Sequence, residues 1–132
     1  MKNSERNTTE REGARFAFPA AAGAVIWKGT MVALNAGNAA PGAAIAARVT
    51  VGIADLTVDN TGGAAGALMV PIKRGTFLLA NSAGADEITN ANYGQFCHVV
   101  DNDTVALTNG GGARPVAGTI RGVSGAGVWV EF

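Results

Sequence analysis

The six residues GVWVEF, at positions 127–132, alternate between two kinds of environment. Val128, Val130 and Phe132 are apolar and occupy every second position, with Trp129 and Glu131 between them. Successive side chains of a β-strand point to opposite faces of its sheet. The alternation therefore predicts an antiparallel strand whose first set of residues packs on a core while the second set lies on the opposite face.

Two runs upstream show the same period of two. RVTVGI, at 48–53, places its two valines and Ile53 on one face, and TVALT, at 104–108, buries Val105 and Leu107. Both runs are short and are followed by turn-forming residues, as expected of strands in a small antiparallel fold.

The rest of the chain from residue 16 onward continues this pattern. Further strands are predicted at 25–34, at 67–80 with a break near Gly75, at 94–100 and at 116–123. In LTVD, at 56–59, the apolar positions change parity, which predicts a bulge or bend near Ala54–Asp55. ADEITNANYG, at 85–94, allows about one helical turn, with Thr89 as its cap and Gly94 as its stop. We therefore predict an all-β fold, with a single small antiparallel β-barrel or sandwich domain at 16–132.

Composition limits the function classes. The 132 residues fit one domain, and ten basic residues balance ten acidic ones. With 6% aromatic residues and no net charge, neither a phosphate-binding patch nor a base-stacking surface is indicated, so we predict no nucleic-acid partner. The lone Cys97 cannot form an intrachain disulfide, as is typical of a chain that folds in a reducing cytoplasm.

One uncharged run, FAFPAAAGAVIW at 16–27, has the position of a secretion signal. The segment before it contains Glu5, Glu10 and Glu12, and Pro19 interrupts it, so we do not expect a signal peptide. Its twelve residues are also too few to cross a bilayer, and no membrane association is predicted.

QFCHVVDNDT, at 95–104, contains the only cysteine and the only histidine, Cys97 and His98. On a strand these neighbours point to opposite faces and cannot act as a nucleophile and its base. DNDT that follows is typical of a tight turn. As a calcium loop it fails, because its sixth position is Ala106 and not glycine.

Two glycine-rich stretches, NTGGAAGA at 60–67 and TNGGGARP at 108–115, lack the strand and helix context of a nucleotide-binding loop. We therefore predict no catalytic residue, no metal and no cofactor, and do not expect an enzyme.

Two charged segments are candidate contact regions. Residues 1–15 are too polar to join a core and predict a flexible N-terminal arm, which is either a solvated tail or a segment that orders on a partner through Arg6, Arg11 and Arg15. The doublet Lys73–Arg74 is either a solvated strand edge or part of a binding patch.

Three longer segments carry a resemblance to a known family. AGAVIWKGTMVALN at 22–35, VGIADLTVDNTGGAAGALMVPIKRGTF at 51–77, and the region from ADEITNANYG at 85 to GVWVEF at 132 follow one another in the same order and spacing. In this respect the chain resembles the capsid cement, or head-decoration, proteins of tailed bacteriophages over residues 22–132.

The resemblance implies a β-barrel-like protein that is made in the host cytoplasm and attaches to the outer capsid surface of the virion. Its partners would be the major capsid protein and itself, as a trimer near local threefold axes. The family brings no catalytic residues. The apolar C-terminal strand is where we expect self-association, through Trp129 and Phe132.

A different class stays open from the residues alone. A small β ligand-binding module, carbohydrate-binding or fibre-associated, would present exposed aromatic side chains on which a sugar ring stacks. Trp27, Tyr93 and Trp129 are the candidates for that role, although they are scattered in sequence.

Overall fold

The computed structural model describes Ser4 and residues 6–132. In chain order its strands are β1 (Arg15–Pro19), β2 (Val25–Ile26), β3 (Met31–Asn35), β4 (Asn38–Pro41), β5 (Val49–Ala54), β6 (Val58–Asp59), β7 (Met69–Lys73), β8 (Thr76–Asn81), β9 (Phe96–Val99), β10 (Thr104–Ala106), β11 (Val116–Ser124) and β12 (Gly127–Glu131). Within the described residues the helical elements are two single 3-10 turns, η1 (Gly84–Asp86) and η2 (Asn90–Asn92). The predicted all-β fold is confirmed, and no helix in this part of the chain could span a membrane.

Five strands close into a barrel in the order β10-β8-β12-β11-β9. Every pair is antiparallel except β10 and β8, which run parallel where Thr104 lies beside Ala80. The barrel interior is filled by branched aliphatic side chains, among them Val99, Ile120 and Val130. Closure leaves the barrel without a free strand edge.

The other half of the fold is a sheet in the order β1-β7-β5-β3-β4, with a two-stranded ribbon of β2 and β6 beside it. The sheet curls until Ala20, just after β1, forms a bridge with Ala39 of β4. Val32 and Ile72 belong to the core inside this curl, whereas Met31 of the same β3 strand packs into the barrel core. The sheet is therefore buried on both faces where it meets the barrel.

Most predicted strands lie where expected, and β7 and β8 separate at Gly75 as predicted. The predicted strand at 25–34 is wrong as a single element. It is two strands, β2 and β3, because Trp27–Thr30 forms a turn in which the Thr30 N–H and hydroxyl both donate to the Trp27 carbonyl and Gly29 has a φ of 84°.

The predicted irregularity after β5 resolves into two features. The chain bends at Asp55, as predicted, but the bulge lies earlier, where Ala33 pairs with Thr50 while Val32 pairs with Gly52, so that Val51 has no partner on β3. In the predicted helical segment, η2 is one 3-10 turn, with Thr89 at its N-cap.

Candidate functional site

The Cys97 and His98 side chains point to opposite sides of the barrel wall, as predicted. Cys97 is fully buried in the barrel core, and its thiol donates to the Gly118 carbonyl at 3.5 Å. Burial raises the pKa of the thiol to about 11, because a thiolate is disfavoured without water. His98 lies on the outer side, with Nδ1 3.1 Å from the Leu107 carbonyl oxygen. The two groups do not form a catalytic pair.

The DNDT segment is a turn held by its own side chain. The Asp101 carboxylate accepts the backbone N–H groups of Asp103 at 3.0 Å and Thr104 at 2.9 Å. Partial burial by itself raises the pKa of Asp101, but these hydrogen bonds together outweigh it and lower the pKa. Among the residues that the structure describes, no three His, Cys, Asp or Glu side chains lie close enough together to hold a metal ion.

Both glycine-rich stretches are held by hydrogen bonds within the fold. Asn60 is buried, and its side-chain amide donates to the Ala21 and Ala64 carbonyls at 2.9 and 3.0 Å. In the second stretch, Arg114 forms an ion pair of 2.8 Å with Asp86, which also accepts the Thr108 hydroxyl. These contacts connect the loops to neighbouring elements.

The predicted contact residues fall into two groups. Arg6, Arg11, Arg15 and Arg74 are exposed. Lys73 forms an ion pair of 3.3 Å with Asp55, so its charge is already partnered inside the fold. Arg15 is the first residue of β1, one residue inside the segment that the sequence assigned to the arm.

A cleft of about 380 Å³ lies at one end of the curled sheet. Its lining consists of Arg11, Gly13, Phe16, Phe18, Val49, Thr50, Val51 and Arg74. The Phe16 and Phe18 rings meet edge to face with their centroids 5.6 Å apart. The structure thus brings Arg11 and Arg74, which are far apart in sequence, to the rim of one apolar depression. Sequence reasoning missed the two phenylalanines, because the alternation of FAFP was hidden in the uncharged run at 16–27.

A second exposed region, which we call the outer barrel face, is formed by side chains of three neighbouring strands and of Tyr93. Trp129 on β12 is 41% exposed and lies opposite Leu78 of β8, which is 39% exposed. Beside them, Arg121 pairs with Glu131, and its guanidinium lies 5.8 Å from the centre of the Tyr93 ring. Leu78 was not among the predicted site residues, because its position beside Trp129 depends on strand pairing.

The other residue predicted to mediate self-association lies in a different environment. Phe132 is half-buried and packs against the barrel core, with its ring centre 6.3 Å from that of Phe77. The structure therefore places only Trp129 of that pair on the outer barrel face.

Comparisons of this chain with protein-family models, with curated proteins and with solved structures find no match.

Proposed function

We propose that this protein is a capsid decoration protein of a tailed bacteriophage, which binds the outer surface of the head and stabilises the shell. The resemblance of residues 22–132 to that family supports the proposal. The structural observation that supports it best is the outer barrel face, where an exposed tryptophan lies beside an exposed leucine. Aromatic side chains of this kind are enriched in protein interfaces.

In this proposal the outer barrel face joins three copies into a trimer. Leu78 and Trp129 are adjacent on paired strands, so one neighbouring copy could cover both. The charged pair of Arg121 and Glu131 borders them and would lie at the rim, where polar groups stay hydrated.

Retention on the shell is additive and non-covalent. A trimer presents three equivalent contact surfaces, and once one binds, the others bind as intramolecular events. Weak contacts to individual capsid subunits then give strong overall attachment. The exposed arginines of residues 6–15 are candidates for such contacts, and the attraction they supply weakens with added salt.

The test is co-sedimentation of the purified protein with expanded phage heads that lack their decoration protein, followed by imaging of the particles. We expect saturable binding, density at the threefold positions of the shell, and heads that resist heat better than bare heads. Absence of binding to such heads, or binding without any gain in heat resistance, would contradict the proposal.

A further inference from the structure

The cleft described above is the open end of the curled sheet. β1 and β5 both begin there, while β7 leaves the sheet after Lys73 to enter the barrel. Val49 and Val51 of β5 therefore have no β7 residue beside them, and this gap forms the floor of the cleft. Of the two valines in the lining, Val49 is 62% exposed and Val51 is half-buried.

The outer edge of β1 is free at this end. Arg74 donates its backbone N–H to the Ala14 carbonyl, and Ala20 donates to Leu68, both at 2.8 Å. Because antiparallel partners alternate between bonded and non-bonded pairs, the even-numbered residues of β1 bond to β7. The backbone N–H and C=O groups of Arg15 and Ala17 consequently point away from the sheet, toward solvent.

Two positive charges at the rim have no partner within the described residues. No carboxylate in this part of the chain lies within 4.0 Å of the Arg11 or Arg74 guanidinium. A cleft with an apolar floor, cationic rim and open strand edge matches an extended peptide that carries both apolar and acidic side chains.

We propose that this cleft and the free edge of β1 bind an extended acidic segment of a partner protein as an added strand. One apolar side chain of the segment enters the cleft beside Phe16 and Phe18. A carboxylate two residues away faces the same side, since strand side chains alternate, and pairs with Arg11 and Arg74. The site is separate from the outer barrel face.

Several acidic residues of this chain are unsuited to that role, and we take the occupant to be a different protein. Glu10 and Glu12 of the arm have only polar, charged or glycine neighbours in sequence. Asp86 is paired with Arg114, and Glu131 is paired with Arg121. The apolar residue nearest to Asp86 that could enter a cleft, Ile88, is buried in the barrel core.

The probe is a fluorescent, end-blocked peptide, Thr-Val-Glu-Glu-Thr, whose binding to the isolated full-length protein is followed by fluorescence anisotropy at low salt. Its valine and second glutamate face the same side of a strand. Replacing both glutamates with glutamine should weaken binding about tenfold, because charge-assisted hydrogen bonds are lost. N-methylation of alternate peptide nitrogens should abolish binding for one alternate set and be tolerated for the other, because only one set faces β1.

The protein variants are Arg74→Gln and Arg11→Gln, with Lys28→Gln as the matched control. Lys28 carries the same charge but lies in the turn whose Gly29 bonds to Ala54, at the opposite end of β5. We expect each arginine variant to weaken binding about fivefold, as for a single exposed charged contact, and the lysine variant to bind as the parent does. Arg11 lies outside every strand, so its replacement leaves the sheet intact.

Absence of measurable binding, equal binding of the glutamine peptide, or equal losses in the arginine and lysine variants would overturn the proposal. Sedimentation velocity tests the alternative that a second copy of this chain fills the cleft. Self-association of the parent protein that Arg74→Gln abolishes would support that alternative and would overturn the proposal. These measurements use no capsid, so a negative result would count against the cleft proposal and not against the proposed capsid binding, which has a separate test.

Discussion

The backbone of Gly127 passes directly against Leu79, so closely that a Cβ atom at Gly127 would overlap the Leu79 carbonyl oxygen. Gly127 also has a φ of 145°, a conformation that side chains rarely adopt. This contact joins the start of β12 to β8 inside the closed barrel. The pairing of β12 with β8 therefore depends on the absence of a side chain at Gly127.

We predict that Gly127→Ala lowers the free energy of unfolding by at least about 3 kcal/mol, through backbone strain and the overlap together. Gly125→Ala is the matched control, because no atom lies within 4 Å of a Cβ placed there, and it should stay within about 0.5 kcal/mol of the parent. Urea unfolding measures both. Similar losses in the two variants would contradict the close approach.

The fold class was predictable because alternation survives in the strands that line the barrel. In β12 the predicted burial of Val128 and Val130 and the exposure of Trp129 are confirmed. The closure of the barrel was not predictable, because the parallel pairing of Thr104 with Ala80 joins short strands far apart in sequence. The pattern of a strand does not identify its partner.

β4 was missed for a related reason. Its sequence, NAAP, has no alternation, since Ala39 and Ala40 are both buried where the sheet is covered on both faces. The candidate sites show the same limit. The exposure of single aromatic residues is a reasonable expectation from sequence, but the adjacency of Leu78 and Trp129 exists only through strand register.

The outer barrel face leads to a prediction about assembly. If the proposed trimer forms in solution, Trp129→Gln should lower its fraction, measured by light scattering across a concentration series, because the substitution removes the largest apolar side chain of that face. Trp27→Gln is the matched control, since Trp27 is 58% exposed but lies in the turn after β2. A parent that is monomeric at every concentration would contradict a trimer in solution. Equal effects of the two substitutions would remove the outer barrel face from the interface.

The Cys97 thiol should resist modification in the folded protein. Burial raises its pKa from 9.0 to about 11, so at pH 8 its thiolate fraction is about a hundredfold lower than in an exposed thiol. Titration with a thiol-specific reagent should therefore give slow labelling in buffer and rapid labelling of one thiol in urea. Fast labelling of the native protein at pH 8 would show that the barrel core admits water.

Ionisation of Asp86 should make the stability of the folded protein depend on pH. The Thr108 hydroxyl and then Arg114 lower the pKa of this carboxyl, so its ionised form favours the folded state. In the acid range the unfolded chain therefore binds more protons than the folded protein does. The stabilisation is fully present above the pKa of Asp86 in the unfolded chain, near 3.8, and it is lost as the pH falls through the lower pKa of Asp86 in the folded protein. Asp86→Asn should thus have a lower Tm than the parent at pH 7, with the difference shrinking below about pH 4. Glu87→Gln is the matched control, because Glu87 is an exposed neighbouring carboxylate that takes part in no ion pair among residues 6–132, and its Tm at pH 7 should stay close to that of the parent.

Removal of residues 1–12 should weaken capsid binding while leaving the free energy of unfolding nearly unchanged. Residues 6–12 are exposed and lie outside every strand. Among the described residues, the first backbone hydrogen bond of this segment to the sheet is at the Ala14 carbonyl, which accepts the Arg74 N–H. The truncated protein should keep its free energy of unfolding within about 1 kcal/mol, whereas removal of residues 1–17 also deletes the first three residues of β1 and should cost more. On capsids we expect the 1–12 deletion to weaken retention and to flatten its dependence on salt, because Arg6 and Arg11 are lost. Equal retention of the truncated and full-length proteins across a salt series would identify the arm as a solvated tail.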